Sequence, residues 1–304
     1  MIKIFRTLIL TLLISTVFSG CIKDTCKSTY TIYKPILKSL SQVRMDMKSS
    51  QPATLEQTGK MFLYGSYIFL NEMNKGIHVI DNSNPAAPRN ISFINIPGNV
   101  DLAVKGKYLY ADSYADLLVF DISNPQQVQN PKVMEKVFPN RGGFYNGISS
   151  NPDSIQVIVG YNKKDTIMDC DTYEQWQRCA NCMFTIQPAS VNAAPTAGIG
   201  GSMARFTIVN DFLYTVTTHE LFSFDLADAG HPRQVHKAAL GNWGIETIYP
   251  FKNNLFIGSN SGMYIYNINN PAVPAYVSQF GHVSSCDPVI ADDNHAYVTL
   301  RSGT

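Results

Sequence analysis

Apolar and polar positions alternate with a period of two from about residue 59 onward, in short runs that end at turn residues. The clearest example is the stretch Tyr108–Pro125, in which Tyr-Leu-Tyr is followed by a tight turn, by Leu-Leu-Val-Phe, and by Asp-Ile-Ser-Asn-Pro. Alternation of this kind predicts half-buried β-strands, and a short continuous apolar run predicts a strand covered on both faces. The stretch therefore predicts two strands, a turn and a stop.

The same unit recurs along the chain. Its first strand has its third residue at Phe69, Tyr110, Tyr214, Phe256 and Tyr297, with separations of 41, 104, 42 and 41 residues. A period of about 40 residues with four strands per repeat predicts the blades of an all-β protein, a β-propeller. The separation of 104 residues equals two repeats of 41 plus 22 inserted residues. We therefore expect a degenerate third blade whose strands are Ile155–Val159 and Asp165–Met168.

The first unit also shows its later strands. Ile91–Ile96 and Val100–Val104 follow the first Asn-Pro and predict the third and fourth strands, with a Pro-Gly turn between them. About five and a half blades are visible in this way. The last unit stops soon after its first strand, at Thr304, so we expect the chain to be truncated at its C-terminus.

Each second strand ends in a turn rich in Asx and proline. The turn residues are Asp81, Pro85, Asp121, Pro125, Asp225, Pro232, Asn267 and Pro271. An Asx side chain can accept hydrogen bonds from the backbone amides that follow it, and proline lacks the N–H that would continue a ladder. We therefore predict a structural role for these residues.

These units resemble LVIVD repeats. The resemblance rests on the strand, the turn and the core (Leu/Ile)-x-Val-(Ile/Phe)-Asp-x-Ser-Asn-Pro, and it extends over roughly Gly59–Gly303. Four of the six units are clear, and the third departs because it lacks the Asn-Pro turn. LVIVD repeats occur in bacterial secreted and surface lipoproteins, so the resemblance implies a β-propeller in the cell envelope. It implies no particular reaction.

Residues 1–20 have the features of a lipoprotein signal peptide. Two basic residues precede the apolar run Thr7–Phe18, which is too short to span a bilayer. Small residues before Cys21 resemble a bacterial lipobox, except for Phe18 where leucine is usual, and this implies a lipid on Cys21. By resemblance to Gram-negative lipoproteins, Ile22 after the cysteine implies sorting to the outer membrane. Both the periplasmic and the surface-exposed face of that membrane remain alternatives. The alternative is an ordinary secretory signal that contains a cysteine.

Residues 21–58 predict a tether between the lipid and the propeller, which we assign to residues 59–304. Thr29–Tyr33 alternates and predicts a strand. Apolar residues at helical spacing predict one short helix over Ile36–Met47, and the polar run Ser49–Pro52 ends it.

The six cysteines are Cys21, Cys26, Cys170, Cys179, Cys182 and Cys286. Export would place them in an oxidising compartment, where disulfides form. Cys170, Cys179 and Cys182 lie close together in an insertion at about residues 169–202. A local disulfide is favoured there over a zinc or redox site, because zinc needs four ligands and a thioredoxin-type motif needs a βαβ context. If Cys21 carries a lipid, five cysteines remain, and one of them cannot pair within the chain. This odd number is consistent with a partner of Cys286 beyond Thr304.

Charge and motifs restrict the function. A net charge of +1 argues against a nucleic-acid binder and against a charge-driven membrane surface. The six histidines are scattered, and the sequence contains no zinc-protease or nucleophile-elbow motif. The glycine-rich run Gly198–Ser202 lacks the lysine of a phosphate loop. We therefore predict no catalytic residue, no metal and no cofactor.

The insertion is the candidate binding element. Tyr173, Trp176 and Arg178 lie in a polar setting and are residue types typical of binding anchors, although Trp176 could instead pack the insertion onto a blade. We expect a lipid-anchored binding module for a protein or glycan partner, without catalysis. The alternatives are a secreted propeller hydrolase or lyase with a site in the central channel, and an outer-membrane assembly scaffold.

Overall fold

A computed structural model describes residues 26–138, 151–170, 185–188, 204–241, 244–281 and 286–300. The chain divides into two compact units, which we call unit one (Met1–Pro35 with Tyr161–Asn192) and unit two (Ile36–Gly160 with Ala193–Thr304). Within the described residues the chain forms 22 β-strands and one α-helix.

Unit two contains four antiparallel sheets, each with four consecutive strands in sequential order. The first blade consists of β3 (Thr58–Tyr64), β4 (Tyr67–Glu72), β5 (Gly76–Asp81) and β6 (Arg89–Asn95), and the short strand β2 (Ser49–Ser50) pairs with the outer side of β6. The second blade consists of β7 (Leu102–Lys105), β8 (Tyr108–Ser113), β9 (Asp116–Asp121) and β10 (Lys132–Met134). These sheets confirm the predicted propeller blades.

The later blades follow the same order. The third blade consists of β13 (Phe206–Val209), β14 (Phe212–Val216), β15 (Glu220–Asp225) and β16 (Arg233–Ala239). The fourth blade consists of β17 (Ile245–Phe251), β18 (Asn254–Ser259), β19 (Gly262–Asn267) and β20 (Ala275–Gly281). A hairpin of β21 (Cys286–Ala291) and β22 (Ala296–Leu300) packs next to the fourth blade through Val289, which contributes to a core with Phe256 and Met263.

The first strands of successive blades contact one another in the order β3, β7, β13, β17 and β21. The second and third blades are therefore direct neighbours, and Tyr110 and Phe206 share one core between them. The Tyr110 hydroxyl donates a hydrogen bond to the carbonyl of Ala229, at 2.7 Å. The Tyr214 hydroxyl repeats this contact one blade later, at 2.8 Å from the carbonyl of Pro271.

The predicted degenerate blade between these two is wrong. Ile155–Val159 and Asp165–Met168 do not form two strands of a blade, because β11 (Gln156–Asp169) runs continuously through this region. It belongs to a three-stranded sheet in the order β11, β1 (Lys27–Ser39), β12 (Thr185–Pro188). The 104-residue separation thus contains a single blade step and one long excursion of the chain.

The assignment of Val100–Val104 to the first blade is also wrong. β7 pairs with β8 and is the first strand of the second blade. The side chain of Asp112 on β8 fixes this register, since its Oδ1 accepts hydrogen bonds from the backbone amides of Val100 (2.9 Å) and Asp101 (3.0 Å). Each blade therefore begins one strand earlier than the repeat in the sequence suggests.

The predicted helix over Ile36–Met47 is shorter in the structure. Strand β1 extends to Ser39, whose Oγ caps α1 (Leu40–Met45) by accepting a hydrogen bond from the amide of Gln42 at 3.2 Å. Leu40, Val43 and Met47 are buried in the core of the first two blades, as their spacing indicates. In the same helix, Arg44 binds the fully buried carboxylate of Asp116 at 2.8 Å.

Each stop contains two successive Asx turns, in which a side-chain oxygen accepts a hydrogen bond from the backbone amide two residues later. The first acceptors are Asp81, Asp121, Asp225 and Asn267, and the second acceptors are Asn84, Asn124, Asp228 and Asn270. The turn satisfies backbone amides at the end of the strand and so ends the ladder in each blade.

The carboxylate of Asp121 gives this turn a pH dependence. Hydrogen bonds from the hydroxyl and the amide of Ser123, together with Lys107, lower the pKa of Asp121 from 3.8 to about 2. Its ionised form therefore stabilises the fold above the ordinary pKa, and this contribution is lost as the pH falls from about 4 to about 2. Asp121→Asn keeps an oxygen for the Asx turn, as Asn267 does naturally, but does not titrate.

We expect the free energy of unfolding of Asp121→Asn to be lower than that of the native protein at neutral pH. The difference should shrink between about pH 4 and about pH 2, as denaturant titrations at a series of pH values would show. A difference that stays constant across this range would contradict the assigned role of the carboxylate.

Candidate ligand-binding groove

Apart from the turn residues, most of the site residues predicted from the sequence lie outside the described residues. These are the predicted lipid-attachment residue Cys21, the candidate binding residues Tyr173, Trp176 and Arg178, and the cysteines Cys179 and Cys182. Cys170 is described, and it is bonded to Cys26 in unit one.

The disulfide between Cys26 and Cys170 corrects the expectation of a local pair for Cys170. The two residues are 144 positions apart in sequence, and their Cα atoms are separated by 5.5 Å. Adjacent strands bring them together, because Cys26 precedes β1, Cys170 follows β11, and the amide of Cys170 donates to the carbonyl of Cys26 at 3.1 Å. This long-range pairing could not be deduced from the spacing of the cysteines.

A polar groove lies where the outer edge of the first blade meets the stop of the second. We call it the glutamine groove. It encloses about 330 Å³ and is lined by Lys48, Ser49, Ser50, Gln51, Gln126, Gln127, Val128 and Gln129. One wall is β2 with its flanking residues, and the other is the turn after Pro125.

Backbone pairing holds the two walls together. The amide of Ser49 donates to the carbonyl of Val128 at 2.7 Å, and the amide of Val128 donates to Ser49 Oγ at 2.9 Å. Lys48 and Gln129 form an antiparallel bridge beside this pair. On the second wall, Asn124 accepts a hydrogen bond from the amide of Gln126 at 3.2 Å and so orients the turn. The groove is therefore built on fixed backbone.

The lining of this turn differs from the equivalent turns of the other blades. Residues 126–129 are Gln-Gln-Val-Gln, whereas the equivalent residues are Ala-Ala-Pro-Arg at 86–89, Gly-His-Pro-Arg at 230–233 and Ala-Val-Pro-Ala at 272–275. Val128 thus stands where the other three blades have Pro88, Pro232 and Pro274. Since proline has no N–H, Val128 supplies the donor for Ser49 Oγ that a proline at this position would lack.

The glutamine side chains are available to a ligand. Gln51, Gln126, Gln127 and Gln129 are exposed, and no hydrogen bond reaches their side-chain amides from the described residues. Lys48 is also exposed and forms no ion pair within the described part of the chain. Each free amide offers two donors and one acceptor, so the groove presents a row of neutral polar groups and one cation.

The buried ionisable groups of the blades, in contrast, serve to join strands. Asp101 is fully buried, and its carboxylate accepts hydrogen bonds from the amides of Arg205 and Phe206 (2.7 Å for Phe206) while Lys60 approaches within 3.3 Å. Glu72 binds His78 at 3.1 Å and accepts from the amide of Gln57 at 2.5 Å. Hydrogen bonding and charge lower the pKa of Glu72 despite its burial. In the described residues no cluster of histidine, cysteine or carboxylate groups could hold a metal ion.

A comparison with protein-family models identifies repeats in two segments of the chain. The LVIVD repeat model matches residues 57–94 and 98–129, which span the first blade and the second blade as far as the groove. The chain therefore contains LVIVD repeats over these residues. The resemblance found in the sequence is therefore confirmed over these two blades. No curated protein matches the chain.

Solved structures similar to this LVIVD-repeat protein include BamB from Moraxella catarrhalis, with 11% identity over 82% of this chain and 56% of that one and a TM-score of 0.43. The periplasmic gluconolactonase PpgL of Pseudomonas aeruginosa shows 10% identity over 84% of this chain and 62% of that one, with a TM-score of 0.48. A putative 6-phosphogluconolactonase of Bacteroides fragilis shows 10% identity over 93% and 89%, with a TM-score of 0.37. The chain spans less than two thirds of the first two proteins.

No helix among the described residues of the LVIVD-repeat protein is long and apolar enough to cross a membrane.

The bond between Ser49 and Val128 can be tested by a double-mutant cycle. Ser49→Ala removes the acceptor and should lower the free energy of unfolding by about 1 kcal/mol. Val128→Pro removes the donor and also replaces a buried core side chain, so its loss should be larger. The effects should not add in the double variant, because both changes remove the same hydrogen bond. Fully additive losses in denaturant titrations would show that this bond does not hold the groove together.

Proposed function

We propose that this LVIVD-repeat protein is a non-catalytic binding module of the cell envelope, and that the glutamine groove is its binding surface for a protein or glycan partner. One observation carries the proposal. The groove combines free side-chain amides with walls whose backbone is already hydrogen-bonded, so its polar groups are held in place without being used by the fold.

The charged groups of the blades support binding rather than chemistry. A general acid or base must reach a substrate, yet the carboxylates of Asp101 and Glu72 are buried and engaged in several hydrogen bonds each. Arg44 and Asp116 likewise bind each other and fix α1 to the second blade. The groove, in contrast, contains amides, hydroxyls and an ammonium group, which recognise ligands and do not provide a nucleophile with an adjacent base.

The sequence of the N-terminus supports the envelope location. A basic and apolar stretch followed by small residues and Cys21 has the features of a lipoprotein signal, and a lipid contributes about 0.8 kcal/mol of membrane affinity per buried CH₂. The tether then enters the first blade as α1 and β2, and β2 forms one wall of the groove.

The binding surface is tested with the double variant Gln126→Ala/Gln129→Ala. Loss of two ligand hydrogen bonds should weaken binding to isolated outer-membrane vesicles or purified peptidoglycan by about tenfold or more, as measured by sedimentation. The matched control is Gln234→Ala/Gln279→Ala, which removes two exposed glutamines from β16 and β20. Equal binding by both variants and the native protein would rule out the groove as the binding surface.

The lipid anchor is tested with Cys21→Ser in the full chain, expressed in a Gram-negative host. We expect the native protein in the membrane fraction and the variant in the soluble fraction. Mass spectrometry of the native protein should show the acylated cysteine as the new N-terminus. Membrane association that is unchanged in Cys21→Ser would contradict the anchor.

A further inference from the structure

The ligand chemistry of the glutamine groove follows from its lining. We propose that the groove binds an acidic oligosaccharide, with the glutamine amides on its hydroxyl groups and Lys48 on its carboxylate. This inference rests on the proposed function and goes further by assigning the ligand class.

The glutamines match a saccharide because they are neutral and offer both donors and acceptors. A sugar hydroxyl donates one hydrogen bond and accepts others, so a side-chain amide can donate to one hydroxyl and accept from its neighbour. Gln126, Gln127 and Gln129 place three such amides within four residues on one wall, and Gln51 adds a fourth on the opposite wall. The equivalent turn at 86–89 has no amide, which indicates that the repeat does not require glutamine here.

An extended peptide fits the groove less well, although its backbone also offers donors and acceptors. Strand addition needs a free edge with unpaired backbone groups. In the groove, the amide of Ser49 donates to the carbonyl of Val128, the amide of Val128 donates to Ser49 Oγ, and the carbonyl of Lys48 accepts a hydrogen bond from the amide of Asn95 at 3.0 Å. The ligand must therefore be recognised through side chains, and hydroxyl groups suit the side chains present.

The size of the groove favours a small part of a polymer. Its volume of about 330 Å³ lies at the lower end of the range of about 300–1,000 Å³ that is usual for small-molecule sites. This space suits one or two sugar rings of a chain that continues along the open surface.

Lys48 supplies the preference for an acidic sugar. The nearest carboxylate in sequence, Asp46, is bound by Lys38 at 2.8 Å and by the side-chain amide of Gln42 at 2.9 Å. Lys48 also contributes to the lowered pKa of Asp46 through its charge, but it forms no direct ion pair within the described residues and lies on the wall of the groove. A carboxylate on the sugar would complete an ion pair there, and an exposed pair of this kind contributes a modest, salt-sensitive gain.

The test is isothermal titration calorimetry of the full chain with three probes: trigalacturonic acid, maltotriose and a neutral hexapeptide. We expect trigalacturonic acid to bind about two- to fivefold more tightly than maltotriose at low salt, and this preference to disappear at about 1 M NaCl. Lys48→Gln should remove the preference by lowering the affinity for trigalacturonic acid to that for maltotriose. Lys164→Gln, which removes an exposed charge outside the groove, should change neither.

The remaining variants separate this inference from the proposed function. Gln126→Ala/Gln129→Ala should weaken binding of both saccharides by about tenfold or more. Equal affinity for the two saccharides would overturn the acidic preference. Binding of the peptide alone, or of no probe while vesicle or peptidoglycan binding still depends on these glutamines, would overturn the saccharide class and leave the binding module standing. Envelope binding that is independent of the glutamines would overturn both.

Discussion

The carboxylate of Asp101 joins the second blade to the third at the point where the chain returns from its long excursion. One oxygen accepts a hydrogen bond from the amide of Phe206, the first residue of the third blade, at 2.7 Å. The other lies 3.3 Å from the ammonium group of Lys60 on the first blade. A blade cannot bury both of its faces alone, so the propeller depends on neighbouring blades being aligned. The buried carboxylate of Asp101 contacts the first and third blades from the start of the second, and these contacts align the three blades.

The stops of the blades are predictable from the sequence because their chemistry is local. An Asx oxygen that binds the amide two residues later, as in Asp81 with Ser83 or Asn267 with Asn269, needs no distant partner. The boundary between blades cannot be predicted in this way. The same motif occurs at the same point of every repeat, so it does not show where a repeat begins. Only the pairing of β7 with β8 places Leu102–Lys105 in the second blade. Spacing alone also cannot distinguish an extra blade from a strand of another sheet, so the sequence does not reveal that β11 lies outside the blades.

Only one wall of the groove could be predicted from the sequence. The three glutamines and the valine of residues 126–129 are visible as departures once the four stops are aligned residue by residue. The opposite wall is not visible, because Ser49–Ser50 has the composition of a helix end and forms a strand only by pairing with Phe93 and Ile94. A two-residue strand has no periodicity to recognise. The disulfide of Cys170 could not be predicted either, because Cys26 becomes its neighbour only through the sheet order β11–β1–β12.

The exchange of proline for valine at position 128 connects the scaffold to the proposed site. In the other blades a proline stands at this position and has no N–H to donate to a neighbouring segment. Val128 restores that donor, and Ser49 uses it to close the wall of the groove. Val128 also buries its side chain in the core that Val43 and Leu118 share, so the same residue serves the fold and the groove. The altered turn keeps both of its Asx turns and its buried side chain, so a repeat protein can change the groove-facing residues of one turn without losing the architecture of the blade.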